Sequence, residues 1–179
     1  MFGKIKLIYR RFFWSHEKRA RAAGVEMGSN NFIATSFWSS EPYLIKVGSF
    51  CQTTAGVKFF THGGGQAIRH KYPDFDAFGK VVLGDYVYLG NNVLIMPGVT
   101  IGDHVIVAAG SVVTKSIPSN CVVGGNPARY ICSIDEYEKR NLQYNTKTKK
   151  LNALSKKEFL LYLEDDKFIK KGYINIKQS

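Results

Sequence analysis

Cysteine is scarce, and Cys51, Cys121 and Cys132 are the whole complement. Three is too few, and odd, for a disulfide framework. A reducing compartment is therefore expected. No stretch approaches the ~18 apolar residues of a membrane-spanning helix. The first residues also lack the unbroken apolar run and small-residue cleavage site of a secretory signal. Phe2 to Trp14 is interrupted by Lys4, Lys6, Arg10 and Arg11. These absences predict a cytoplasmic protein. Acids are short as well, 14 against 25 Lys+Arg, for a net charge of +11. Apolar residues are plentiful: 45% of the 179 residues are hydrophobic and 13% aromatic. That excludes a disordered chain and predicts one domain, or one domain with a tail.

The excess charge lies at the ends. Residues 1–26 hold seven basic and two acidic residues, residues 27–132 seven and five, residues 133–179 eleven and seven. No nucleic-acid motif accompanies the charge, so no nucleic-acid partner is expected. Basic, solvated helices account for it, and so does a neighbouring polyanion such as an anionic membrane surface or a phosphorylated substrate. Ile5, Ile8, Phe12 and Phe13 fall at helical spacing, so residues 1–24 read as a basic amphipathic segment. Such a stripe packs on the protein or makes peripheral contact with lipid.

From Leu83 the chain repeats every six residues: LGDYVY, LGNNVL, IMPGVT, IGDHVI, VAAGSV, VTKSIP. The first position is always aliphatic: Leu83, Leu89, Ile95, Ile101, Val107, Val113. The fifth is Val87, Val93, Val99, Val105, Ser111 and Ile117, β-branched but for one small residue. Helices repeat at 3.6 and strands at 2. A period of six fits a short strand plus a tight turn, and three such units close a triangular coil. First positions point inward and stack from coil to coil, burying a core no single coil can bury. Gly84, Gly90 and Gly102, at second positions, are expected to relieve backbone strain at the turns. VGSFCQ from Val47 and TTAGVK from Thr53 are in phase, and looser hexads start at Met27 and Ile33. Coils are predicted over 25–132.

Residues 61–81 break the period with three consecutive glycines and two histidines. They are expected to form a protruding loop of functional weight. Past Ser133 the hexads stop. Ser155-Lys156-Lys157-Glu158 has the form of a capping box, so 133–179 reads as a helical C-terminal extension.

Hexads of this form, followed by AAGSVVTKSIP and GGNPAR, resemble the hexapeptide-repeat acyltransferases. Within them the chain is most similar to enzymes of capsule, O-antigen and exopolysaccharide assembly. The maltose/galactoside and xenobiotic acetyltransferases come next. The resemblance implies an all-β fold, a left-handed parallel β-helix, and a homotrimer using acetyl-CoA as co-substrate with no metal. It places the general base at His62. It also carries Asn91, Ala109, Thr114, Lys115 and Arg129 over as acetyl-CoA contacts. Tyr88 stands where relatives often carry Trp. Relatives often read His-Asp-Gly where this chain reads His62-Gly63-Gly64, so a carboxylate orienting the His must come from elsewhere, such as a neighbouring chain. Gly64, Arg69 and His70 in the loop, and Trp38 as a stacking platform, are candidate sugar contacts.

The expected activity is O-acetylation of a sugar, free, nucleotide-linked or lipid-linked. An aminosugar N-acetyltransferase and an antibiotic O-acetyltransferase are alternatives, and a non-catalytic β-helix scaffold is the non-enzyme alternative. A zinc carbonic anhydrase on the same fold needs three converging histidines. His16, His62, His70 and His104 do not have that spacing.

Overall fold

The computed structural model describes residues 14–173. The stripe Ile5, Ile8, Phe12, Phe13 lies outside them. The chain forms two compact units, one reaching to Ile134 and one starting at Asp135. Among the described residues no helix is long and apolar enough to cross a membrane.

The first unit opens with α1 (His16–Ala23), capped by the Ser15 hydroxyl and closed by Gly24 at φ 111°. Short strands follow: β1 (Glu26–Met27), β2 (Phe32–Ile33), β3 (Ile45–Val47), β4 (Gln52–Thr53) and β5 (Lys58–Phe59). After the loop come β6 (Val81–Leu83), β7 (Tyr88–Leu89), β8 (Leu94–Ile95), β9 (Thr100–Ile101), β10 (Ile106–Val107) and β11 (Val112–Val113). β12 (Cys121–Gly124) and β13 (Arg129–Ser133) finish the unit. The strands fall in turn into three sheets, ordered β1-β3-β6-β9, β13-β12-β10-β7-β4-β2 and β11-β8-β5. All pairings are parallel except β12 with β13, which folds back and closes the stack. This is a three-faced coil, as the six-residue period requires.

Register gives the coil length directly. Val82 pairs with Thr100, Tyr88 with Ile106 and Leu94 with Val112, each 18 residues apart. Across the loop all three sheets step by 36: Ile45 to Val81, Gln52 to Tyr88, Lys58 to Leu94. The loop therefore spends one coil's worth of chain and returns in phase. Its neck is narrow. His62 and Phe78 form an antiparallel bridge, and Gly79 N–H donates to the Thr61 carbonyl at 2.7 Å.

First and fifth positions fill the core, with Leu89, Val93, Ile95 and Val107 fully buried. The turns correct one expectation. Gly84, Gly90 and Gly102 do not have left-handed backbone. They are small because coils touch there, and a Cβ on Gly90 would lie 2.6 Å from the Ala109 nitrogen. Positive φ belongs instead to the fourth position: Asn30, Phe50, Gly56, Tyr86, Asn92, Gly98, His104 and Gly110. At one corner Phe50, Tyr86 and His104 stack 4.8 Å apart, the spacing of paired strands.

The second unit carries α2 (Ile134–Asn141), which begins at the unit boundary, and α3 (Ala153–Leu161). The Asn152 side chain caps α3 by accepting from the Ser155 N–H. Ser155 is thus inside the helix, and the expected capping box is displaced because Asn152 is an equally good cap one turn earlier.

Leu89→Ala is expected to cost ~2–5 kcal/mol, since the closed coil cannot collapse onto the lost volume. Gln52→Ala, outward-facing on the same sheet, should stay within about 0.5 kcal/mol. Denaturant midpoints of the two variants check this.

Candidate functional site

His62 sits where the third face ends and the loop begins. Its ring is 38% exposed and packs at 5.5 Å from Phe78 across the neck. Its Nδ1 lies 2.8 Å from Glu41 Oε2. Glu41 comes from the coil preceding β3, at the start of a short turn through Pro42–Leu44. The orienting carboxylate is thus in the same chain, and a neighbouring subunit is not needed to supply it.

Two side chains hold Glu41 in place, the His62 ring and Thr61. Thr61 Oγ1 is 2.6 Å from Glu41 Oε2 and 2.7 Å from Ser39 Oγ. A threonine has one hydroxyl proton, and the carboxylate can only accept. Thr61 therefore donates to Glu41, and the Ser39 hydroxyl donates to Thr61. The Thr61 N–H closes the set by donating to Ser39 Oγ at 3.2 Å. Thr61 is fully buried, so these bonds are shielded from water. The Thr61 hydroxyl, and next the His62 ring, hold the Glu41 carboxyl below the ordinary glutamate value, against the opposing effect of burial.

The same argument sets the His62 tautomer. Facing an ionised carboxylate, Nδ1 must carry the proton, which leaves a lone pair on Nε2. The arrangement can accept a proton at Nε2, and Glu41 would stabilise the imidazolium formed. Beyond the ring, a Cβ built on Gly63 or Gly64 would meet nothing within 4 Å. Gly64 has φ 77° and opens the 3-10 turn Gly65–Ala67.

A second cluster gathers the predicted phosphate contacts. Thr114, Lys115 and Arg129 line one cavity of about 380 Å³ with Ile117, Ala128 and Tyr130. Among the described residues neither Lys115 nor Arg129 has a carboxylate partner. On the third face Phe60 N–H donates to Ile95, and Met96 N–H to Val113. Thr114 is thus two strand spacings from Phe60, about 10 Å along one edge. Asn91 and Ala109 meet at another corner, where Gly110 N–H donates to the Asn91 carbonyl. They do not line the Thr114 cavity.

The candidate sugar contacts fare unevenly. Gly64 and His70 are exposed on the loop. Arg69 is spent on the loop itself, donating to the Phe75 carbonyl at 3.1 Å and lying 3.9 Å from Asp76. Trp38 is no surface platform. It is 6% exposed and stacks on Phe59 at 4.7 Å, because the first coil must cap the core. All three cysteines are buried, and burial raises the Cys51 and Cys121 thiols, which speaks against a nucleophile. Sequence reasoning missed Glu41, Ser39 and Thr61. One signal was present: Glu41 is the sole acid between Glu26 and Asp74.

Comparison with known proteins agrees with this architecture. Residues 80–115 match the family model "Bacterial transferase hexapeptide (six repeats)". The chain is 48% identical over 149 residues to Protein CapG of Staphylococcus aureus, covering 81% of this chain and 87% of that one. The chain belongs to the hexapeptide-repeat transferase family. A solved maltose O-acetyltransferase from Clostridium difficile 630 matches at 27% identity with a TM-score of 0.55, over 72% of this chain and 81% of that one. The hexapeptide-repeat acetyltransferase VCA0836 of Vibrio cholerae, complexed with acetyl coenzyme A, matches at 24% identity with a TM-score of 0.58. The match covers 73% of this chain and 84% of that one, and supports the fold alone.

Nitrogen NMR of the His62 ring should report the Nδ1–H tautomer in the native protein and a shift toward Nε2–H in Glu41→Ala. The depressed Glu41 carboxyl has a sign for stability too. Its contribution is complete above the ordinary carboxylate value and is lost as pH falls through the lower folded value. Glu41→Gln should therefore flatten the acid limb of a stability–pH profile.

Proposed function

We propose that the protein transfers an acetyl group from acetyl-CoA to a hydroxyl of a sugar destined for surface polysaccharide, as a left-handed β-helical homotrimer. The observation that carries this reading is the imidazole pinned by Glu41 through Nδ1, with Nε2 free beside an open glycine pair.

The chemistry needs little else. A hydroxyl attacks a thioester poorly until its proton is removed. His62 Nε2 takes that proton as the oxygen closes on the acetyl carbonyl, and Glu41 balances the imidazolium. The tetrahedral intermediate collapses, the C–S bond breaks, and the imidazolium returns the proton to the leaving thiolate. No acyl-enzyme forms.

The donor's shape fits the spacing. Thr114, the residue before Lys115, lies about 10 Å along the edge from Phe60, two residues before His62, so the cationic cavity and the imidazole share one edge of the coil. A phosphate-bearing thioester on a long arm suits a cationic cavity and an imidazole set apart on one edge. Lys115 serves phosphate as a point charge and Arg129 as a fork. Asn91 and Ala109 would line the arm's path from the adjacent corner or a neighbouring subunit. The likeness to a maltose O-acetyltransferase supports a sugar acceptor.

Thiol release from acetyl-CoA, measured over a panel of sugars, tests the reaction. One acceptor should turn over, and His62→Ala should lower kcat by ~10²–10⁴-fold. Equal release in both proteins would remove His62 from the mechanism. In the same assay Arg129→Ala should raise KM for acetyl-CoA by about tenfold or more, the ~1.5–3 kcal/mol of a hydrogen bond to a charged group. It should leave KM for the sugar in place.

A further inference from the structure

The second unit has a surface and almost no interior. Of its described residues, 135–173, Thr148 alone is buried. Its helix α3 buries nothing. Large apolar side chains are left outside, Leu142, Leu151, Leu154 and Leu161 among them, and Leu154 is 75% exposed. Single exposed leucines are ordinary, but several on a unit without a core mark a contact surface.

The charge around them is of one sign. From Lys139 to Lys157 the chain holds seven basic residues and no acid. Five of them, Lys147, Lys149, Lys150, Lys156 and Lys157, are exposed and crowd the 3-10 turn Thr148–Lys150 and the start of α3. Among the described residues none of these five is in a salt bridge. Leu151 and Leu154 lie between two lysine pairs, Lys149-Lys150 and Lys156-Lys157. Glu158 ends the stretch. Lysine stems can lie along an apolar surface while their ammonium heads stay in a polar layer.

A partner must answer both features. Nucleic acid would answer the lysines, but single strands stack on aromatic side chains and duplexes are held by phosphate contacts. Neither uses exposed leucines, and Tyr144, the one aromatic in the stretch, is half-buried. A second copy of the chain would answer the leucines but not the charge. Residues 27–132 hold only five acids, and one of them, Glu41, is committed to Thr61 and His62. An anionic lipid surface answers both. Its headgroups attract the lysines, and the acyl boundary beneath them receives the leucines.

We propose that residues 139–157 dock the protein on an anionic lipid bilayer, with the lysines at the headgroups and Leu151 and Leu154 at the acyl boundary. The inference is independent of the transferase reading and is tested without turnover. Flotation of the full chain would use two sets of vesicles, phosphatidylcholine alone and equal parts of phosphatidylcholine and phosphatidylglycerol. Residues 1–24 are basic too, so variants in the second unit assign the surface. One replaces four lysines together, Lys149→Gln, Lys150→Gln, Lys156→Gln and Lys157→Gln. The other, Leu154→Ser, leaves the charge alone. All five positions are exposed, and far-ultraviolet circular dichroism checks that the helices remain.

The protein should float with the anionic vesicles only, and rising ionic strength should release it. Each lysine near such a surface contributes about fivefold, so the quadruple variant should bind ~10²-fold more weakly or worse. Leu154→Ser should weaken binding by about tenfold. No flotation, or flotation that survives both variants, would overturn the proposal. A lysine effect without a leucine effect would overturn it as well, and retention of a single-stranded oligonucleotide would then name nucleic acid as the partner. Self-association sensitive to Leu154→Ser, with no vesicle binding, would replace the bilayer with a second copy of the chain.

Discussion

The structure depends on the coil-to-coil ladder. Most strands are only two residues long, and no coil has a core of its own. Each is held by backbone bonds to the coils on either side and by aliphatic side chains stacked in the same register. The constraint is strict, because an error of one residue would turn every inward side chain outward. It explains why the central coils step by 18 on every face and by 36 across the loop, while the end coils, with a neighbour on one side only, depart to 20 or 21 at the start and 16 at the finish. A loop is tolerated where it returns in phase, and the bridge between His62 and Phe78 brings it back in phase.

That same constraint holds the His62–Glu41 pair in place. His62 leaves a rigid coil on one side and enters a glycine-rich excursion on the other. Its partner, Glu41, comes from a different coil, and their approach is set by ladder spacing more than by loop conformation. Thr61 is the joint. It belongs to the coil through its backbone and to the carboxylate through its hydroxyl. The polar network therefore stands on the coil, and the loop projects beyond it.

Much of this was legible in the amino-acid sequence, for reasons that differ by residue. The inward positions were plain, because a buried face repeats. His62 stood out as a candidate through its place at the loop and its resemblance to a known family, and the coil adds Glu41 beside it. Glu41 was not, because it lies outside the hexad phase and 21 residues away. Only the folded coil brings it to His62. The fourth-position turns were hidden by their own variety. Phe50, Tyr86 and His104 adopt left-handed backbone that is usual for glycine or asparagine. Stacking from coil to coil offsets that strain, and stacking is invisible until the coils are aligned. Asn152 outranked Ser155 as a cap for a similar reason, since two good caps three residues apart differ only in where the helix actually starts.

The position of Trp38 follows from the fold. An aromatic in the first coil was open to two readings, a platform for sugar or a plug for the core. The stack on Phe59 decides for the plug, since the end of a stacked core must be sealed by something large. Yet an indole cannot be buried as a hydrocarbon is, because its N–H needs an acceptor. The sealing residue thereby leaves one unsatisfied donor at the end of the coil, and α1 supplies a second through Arg19. A packing requirement at the end of the coil thus leaves two buried N–H groups, on Trp38 and Arg19, without an acceptor.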